Sequence, residues 1–258
     1  MAGASITVAE TPLVRYLLRR ADDALILGHR LSEWCGKAPM MEEEMALANM
    51  GLDLIGQARS LYTYAGEVEA AGRDEDAYAY LRDVRGYGNL LLVEQPNGDF
   101  AATMVRQLFY SAFIDPYWRA LMGSSDATLA AIAAKAEKES AYHVRHSAEW
   151  VIRLGDGTPE SHRRAQEALD GLWAFTGEMF ETDAGERSLI AEGIVPDPEA
   201  LRAVWLESVA KVVAQAGLTL PQNAWMQKGG RSGEHSEHLG HLLSDLQYMQ
   251  RAFPGATW

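Results

Sequence analysis

The segment Ala46–Arg59 carries the strongest constraint in this chain: three polar side chains, Asn49, Asp53 and Gln57, stand at i, i+4 and i+8 among Leu47, Met50, Leu52, Leu54 and Ile55. Residues four apart share one face of an α-helix. The row therefore runs along a helix rich enough in apolar residues to be buried. Buried polar groups need hydrogen-bond partners, so the row calls for a neighbouring helix that offers them. The expectation is a polar seam inside a helical bundle, with Gly51 and Gly56 permitting close approach of another helix.

A partner for that seam is found further along, in Glu137-Lys-Glu139-Ser-Ala-Tyr142-His143-Val-Arg-His146. At about 100° per residue, Glu139 and His143 fall close to one face, with Tyr142 beside them. Such a set can hold a metal or form a hydrogen-bonded network. Carboxylate-bridged di-iron bundles use Glu-x-x-His. Here the third position after Glu139 is Tyr142, and the imidazole arrives one residue late.

Punctuation along the chain divides it into long helices with short turns. Residues 1–10 read as a loose N-terminal arm. A first helix runs from Thr11-Pro12 to about Trp34, stopped by Gly36 and Pro39. The second spans about Glu42 to Ala70, with Glu42, Glu43 and Glu44 suited to its N-terminal dipole. A short irregular helix over 76–85 leads to Gly86-Tyr87-Gly88-Asn89 and then Leu90–Val93, too brief for a strand in this setting and read as a buried turn. The third long helix covers about Asp99 to Met122, with a kink expected at Pro116. The fourth covers Ala127 to Leu154 behind an Asp126 cap, and the fifth about Thr158 to Phe180. Residues 181–198 read as an acidic loop, and a sixth helix spans about Pro198 to Ala216. Gly229-Gly230-Arg231-Ser232-Gly233 reads as a basic, flexible loop, and a last helix covers about Glu234 to Phe253. There His235, His238 and His241 read as a solvated polar face rather than a metal site. The fold class is all-α: a ferritin-like up-and-down bundle with additional C-terminal helices, in a single domain over 1–258.

Composition closes off several functions. A formal charge of −13 argues against nucleic acid or an anionic membrane surface as partner. No apolar run is long enough to span a bilayer, and the absence of a secretory signal points to the cytoplasm. The single cysteine, Cys35, excludes an internal disulfide and reads as a small buried residue. Seven tryptophans and ten tyrosines suggest burial against other chains, including self-association. Gly-x-Gly-x-x-Gly, phosphate-loop and Gly-x-Ser-x-Gly signatures are absent.

A bundle of this class holds two irons with one carboxylate from each of two helices and Glu-x-x-His from each of the others. The first helix offers Asp22 or Asp23, and the fourth offers Glu139 with the displaced His143. The second places Leu54 and Gln57 where Glu and His belong, and the third has no acid between Asp99 and Asp115. The set Asp53, Gln57, Glu139, Tyr142 and His143 thus reads as a degenerate metal site turned into a hydrogen-bonded core. The alternative is a self-sufficient di-iron or mono-iron carboxylate oxygenase using Asp22 or Asp23, Glu139, His143 and His146.

Four stretches in order, Ser32-Glu33-Trp34-Cys35-Gly36, Ala48–Arg59, Leu92-Val93-Glu94-Gln95-Pro96-Asn97-Gly98 and Glu237-His238-Leu239-Gly240, carry a family likeness. From near residue 12 to Trp258 the chain resembles the structural C subunits of the bacterial phenylacetyl-CoA epoxidase complex. The resemblance implies a ferritin-like subunit with no catalytic residue or metal of its own. It would support a homologous catalytic A subunit that carries the di-iron centre. A bridging B subunit and a reductase using NADPH, FAD and an iron–sulfur centre would complete a complex that epoxidises phenylacetyl-CoA with dioxygen. It further implies that the C subunit helps hold the acyl-CoA, at positions matching Gly86, Tyr87, Gly88 and Asn89 and also Arg187, Ser188 and Leu189. Backbone amides of a Gly-rich turn and a nearby guanidinium suit phosphate or pantetheine amides.

Overall fold

The computed structural model describes residues 5–9, 11–222 and 225–256. Its long helices are α1 (Pro12–Ser32), α2 (Met41–Glu69), α5 (Phe100–Leu121) and α6 (Ala127–Gly155), and these form the bundle. α1 packs along α2 and α5 along α6, with α2 against α6 joining the two pairs. Around this frame lie α3 (Glu75–Tyr80), α4 (Leu91–Glu94), α7 (Pro159–Trp173), α8 (Ala184–Ala191), α9 (Arg202–Gln215) and α10 (Glu237–Ala252). No strand occurs among the described residues.

The helix starts follow their local chemistry. Thr11 caps α1 by accepting from the Val14 amide, with Pro12 in the first turn. Asp126 caps α6 through the Thr128 and Leu129 amides, and Thr158 and Ser161 form a reciprocal cap on α7. α2 has no side-chain cap and instead carries three glutamates in its first turn. α1 and α2 approach closely because both contact positions are glycine. A Cβ on Gly28 would lie 3.1 Å from the Gly51 carbonyl oxygen, and one on Gly51 would lie 3.2 Å from that of Gly28. Gly56, expected to share this role, faces open space.

α5 is buried on nearly every side and runs on through Pro116 to Leu121. Its Phe109 and Phe113 meet Trp173, Phe180 and Trp205 in one aromatic cluster, and the Trp205 indole donates to the Phe109 carbonyl at 3.0 Å. Each such ring pair contributes about 0.5–1.5 kcal/mol beyond its buried area. Tyr16, Tyr62, Tyr78, Tyr87, Tyr110 and Tyr117 are also inside. Much of the aromatic content thus builds this chain's own core, while Tyr142, Trp225, Tyr248 and Phe253 stay exposed.

Several local expectations change. The acidic stretch after residue 180 contains α8, capped by Asp183 on the Glu186 amide and anchored by buried Leu189. α7 stops at Trp173, and Phe180 is buried from a following 3-10 turn. Cys35 is exposed, because it sits in the turn after α1 rather than on its inner face. The expected arm is described at residues 5–9, where Ile6 donates to the Leu81 carbonyl and Ala9 to Glu69.

Candidate functional site

The mid-bundle seam forms between α2 and α6. Gln57 donates its amide to Glu139 at 2.9 Å, His143 Nε2 meets Asp53 at 3.1 Å, and one turn further His146 Nε2 meets Glu43 at 2.8 Å. Behind it, α5 contributes a row absent from the sequence-based expectations: Thr103, Gln107, Ser111 and Asp115, all buried and four apart. Ser111 meets Ser147 at 3.2 Å, and Ser140 donates to Asp115 at 3.1 Å. Asn49 is exposed, because its phase on α2 places it beside Leu52 on the outer face. Tyr142 also points outward, more than a third exposed and tilted against His146, so it satisfies neither Glu139 nor His143 through a hydrogen bond.

This donor set does not fit a di-iron pair. Gln57 offers a neutral amide and engages Glu139, while each imidazole already faces a single carboxylate. Two irons in such a bundle need several hard anionic oxygens converging on one point. No group of three or more His, Cys, Asp or Glu side chains is arranged to hold a metal among the described residues. Asp22 and Asp23, the acids expected to serve from α1, are engaged elsewhere, at the far side of that helix.

There they line and support a cleft of about 500 Å³ between α1, the Gly86–Gly88 turn, α8 and the 229–233 loop. Four guanidiniums, of Arg19, Arg20, Arg82 and Arg231, interlock with four carboxylates, of Asp22, Asp23, Asp183 and Glu186. Arg231 grips Asp23 with both terminal nitrogens, at 3.0 and 2.8 Å, and also donates to the Gly88 carbonyl at 2.8 Å. Asp22 accepts from Arg82, from the Tyr62 hydroxyl and, at 2.8 Å, from the Gly88 amide. Leu90 N–H donates to Asp23 at 2.8 Å. The glycine turn is therefore held at both its amide and its carbonyl by charged groups. Burial works to raise the Asp183 carboxyl, but the Glu186 amide and the Arg19 and Arg15 guanidiniums outweigh it and hold it below its ordinary value.

The 229–233 loop, expected to be flexible, is fixed from beneath. Glu178, almost fully buried, accepts the amides of Leu91, Gly229 and Arg231 at 3.1, 3.0 and 3.0 Å. A Cβ on Gly230 would lie 2.3 Å from the Asn89 carbonyl oxygen, so the two glycine turns can meet only without a side chain there.

Of the acyl-CoA positions expected from sequence, Gly86, Tyr87 and Gly88 line the cleft. Asn89 lies fully buried behind it, donating to Glu94 at 3.0 Å. Arg187 and Ser188 face solvent from α8 and bond within their own segment, to the Thr182 and Gly185 carbonyls, while Leu189 packs into the core. The cleft wall on that side comes from Asp183 and Glu186 instead. At the mouth stands Arg85, exposed and without a side-chain hydrogen bond or ion pair among the described residues. His235, read as part of a solvated face, precedes α10 and has a completely buried side chain.

The family pattern described as "Phenylacetic acid catabolic protein" matches residues 2–258. The chain belongs to that family. It is also 49% identical over 246 residues to the C subunit of the 1,2-phenylacetyl-CoA epoxidase of Escherichia coli (strain K12), covering 95% of this chain and 99% of the relative. A ferritin-like helical bundle is the fold of this family, and the resemblance carried by the four sequence stretches agrees with both matches. No helix among the described residues is long and apolar enough to cross a membrane.

Proposed function

We propose that this chain is the non-catalytic structural subunit of a multicomponent di-iron monooxygenase that epoxidises phenylacetyl-CoA during aerobic phenylacetate degradation in the cytoplasm. The single observation that carries the reading is the α2–α6 seam, where Gln57 occupies Glu139 and the two histidines are matched one-to-one with carboxylates. Dioxygen activation then belongs to a homologous catalytic subunit holding the di-iron centre, which supplies the oxidising chemistry. Electrons reach it from a reductase with NADPH, FAD and an iron–sulfur centre, and the assembly also includes a bridging subunit. The cleft carried by Gly86, Tyr87 and Gly88 contributes to holding the acyl-CoA, the Arg85 guanidinium at its mouth suiting the phosphate groups.

The test is co-expression with the homologous ferritin-like subunit, followed by metal analysis and turnover. The chain alone is expected to contain far less than one iron per molecule and to form no epoxide, while the complex with reductase converts phenylacetyl-CoA. Stoichiometric iron or dioxygen-dependent turnover by the isolated chain would overturn the assignment in favour of a self-sufficient oxygenase.

A further inference from the structure

The Gly86–Asn89 turn is held by the charged groups described above and, on its other side, by one imidazole. His235 Nδ1 lies 2.7 Å from Glu94 Oε2, and its Nε2 lies 2.9 Å from the Tyr87 carbonyl oxygen. A backbone carbonyl can only accept. The other partner is equally committed: Glu94 Oε1 accepts the Ser236 amide at 2.7 Å, and Oε2 also accepts the Asn89 amide at 3.0 Å. Either neutral tautomer would turn a ring lone pair onto an oxygen that is itself an acceptor, inside a site where both the His235 and Glu94 side chains are fully buried. Opposite a Glu94 carboxylate, the imidazolium, a donor at both nitrogens, is the form that satisfies the geometry.

We propose that His235 is a positioning residue: as an imidazolium it clamps the Tyr87 carbonyl to Glu94 and so sets the shape of the cleft's glycine turn, and losing its proton releases the turn. The groups around it favour this state. Glu94 on α4 is in direct contact, and Asp22 on α1 adds negative charge from the opposite side of the turn. Arg30 is turned to the Glu94 carbonyl and Arg231 to Asp23, while Arg85 and Glu234, of opposite charge and both exposed, line the same depression as His235. Burial alone would lower the proton affinity of His235. The hydrogen bonds to Glu94 and Tyr87, with the charges of Glu94 and Asp22, reverse that and hold it above the ordinary value of 6.5. The sign follows: the clamp is complete below pH 6.5 and is lost as pH rises through the elevated value.

His235 also lines a depression of about 440 Å³ that shares Arg85, Ser232 and Gly233 with the main cleft, so the released turn changes the cleft's floor. The link from clamp to substrate rests on the proposal above that this cleft holds the acyl-CoA. The two are separable by experiment. In the full-length chain labelled with [15N]histidine, with His235→Gln used to assign its signals, the ring of His235 is expected to lose its second proton at a midpoint above the ordinary value of 6.5. Hydrogen exchange of the Gly88 and Asn89 amides is expected to quicken about tenfold as that proton leaves, and to be fast at every pH in the variant. A His235 midpoint at or below 6.5, or exchange that ignores its protonation, overturns the clamp; should the variant fail to fold, the wild-type titration decides alone. In the reconstituted complex, the variant is expected to raise KM for phenylacetyl-CoA about tenfold with kcat nearly unchanged, and to lack the alkaline rise in KM expected of the wild type. Ring and exchange data as expected with an unmoved KM would uphold the clamp and reject the acyl-CoA assignment of the cleft.

Discussion

The α2–α6 seam and the cleft behind α1 are both polar regions buried in an apolar bundle, and they solve the same problem differently. In the seam, partners meet in pairs, an amide with a carboxylate or an imidazole with a carboxylate, and Asp53 keeps about a third of its side-chain surface in water. In the cleft, Arg19, Arg20 and Arg231 share Asp183, Glu186 and Asp23, Arg82 pairs with Asp22 beside them, and Asp22 and Asp23 have no exposed surface. Pairwise contacts near solvent are replaceable one at a time. A buried set is less so, because each charge lost leaves its partners under-compensated away from water. The middle of the bundle, where a metalloenzyme of this class does its chemistry, is here the more tolerant region, and the rigid architecture has moved to the side that presents the glycine turn.

The largest effect is therefore expected at the cleft. Arg231→Met leaves Asp23 with Arg20 as its remaining counter-ion and frees the Gly88 carbonyl, and should lower unfolding stability in urea toward the lower end of the roughly 3–5 kcal/mol that breaking a buried ion pair from one side costs. Gly230→Ala follows: with a backbone oxygen 2.3 Å from the new Cβ, the two turns must separate, and a loss of about 1–3 kcal/mol is expected. Gln57→Leu in the seam should cost only about 1 kcal/mol, since Glu139 is half-buried and water can replace the amide. A seam substitution that costs more than Arg231→Met would reverse the comparison. Smallest of all, Glu160→Gln removes an exposed carboxylate shared by Arg163 and Arg164 on α7 and should leave the thermal midpoint unchanged within error.

Much of the bundle was legible because its helices announce themselves through caps and spacing, as at Thr11-Pro12, Asp126 and Thr158. The seam was half legible. Asp53 and Gln57 face α6 as their spacing implies, but Asn49 does not, because a four-residue step drifts about 40° around the helix over each repeat. The α5 row Thr103, Gln107, Ser111 and Asp115 carries the same four-residue signal, but its members are mostly neutral and sit among apolar neighbours on every side, so no one face of α5 stands out. The cleft was largely illegible. Asp22 and Asp23 looked like metal ligands, since beyond Arg20, one turn before Asp23, nothing local to α1 reveals their partners Arg82 and Arg231. His235 was misread because its register with His238 and His241 suggested one helical face, whereas the helix begins after it and Glu94 is 141 residues away in sequence.

That separation bears on how the molecule is made. Arg231 meets Asp23 across 208 residues and Arg19 across 212, and Ser236 closes on Glu94 across 142. During synthesis the first two helices can pair as soon as they leave the ribosome, with Arg20 already beside Asp23, but Asp23 waits for its second counter-ion until residue 231 has been made. A nascent or C-terminally clipped polypeptide ending before Arg231 would keep Asp23 paired with Arg20 but leave the Gly88 carbonyl without its guanidinium, so the glycine turn is fastened at both ends only after residue 231 has been made.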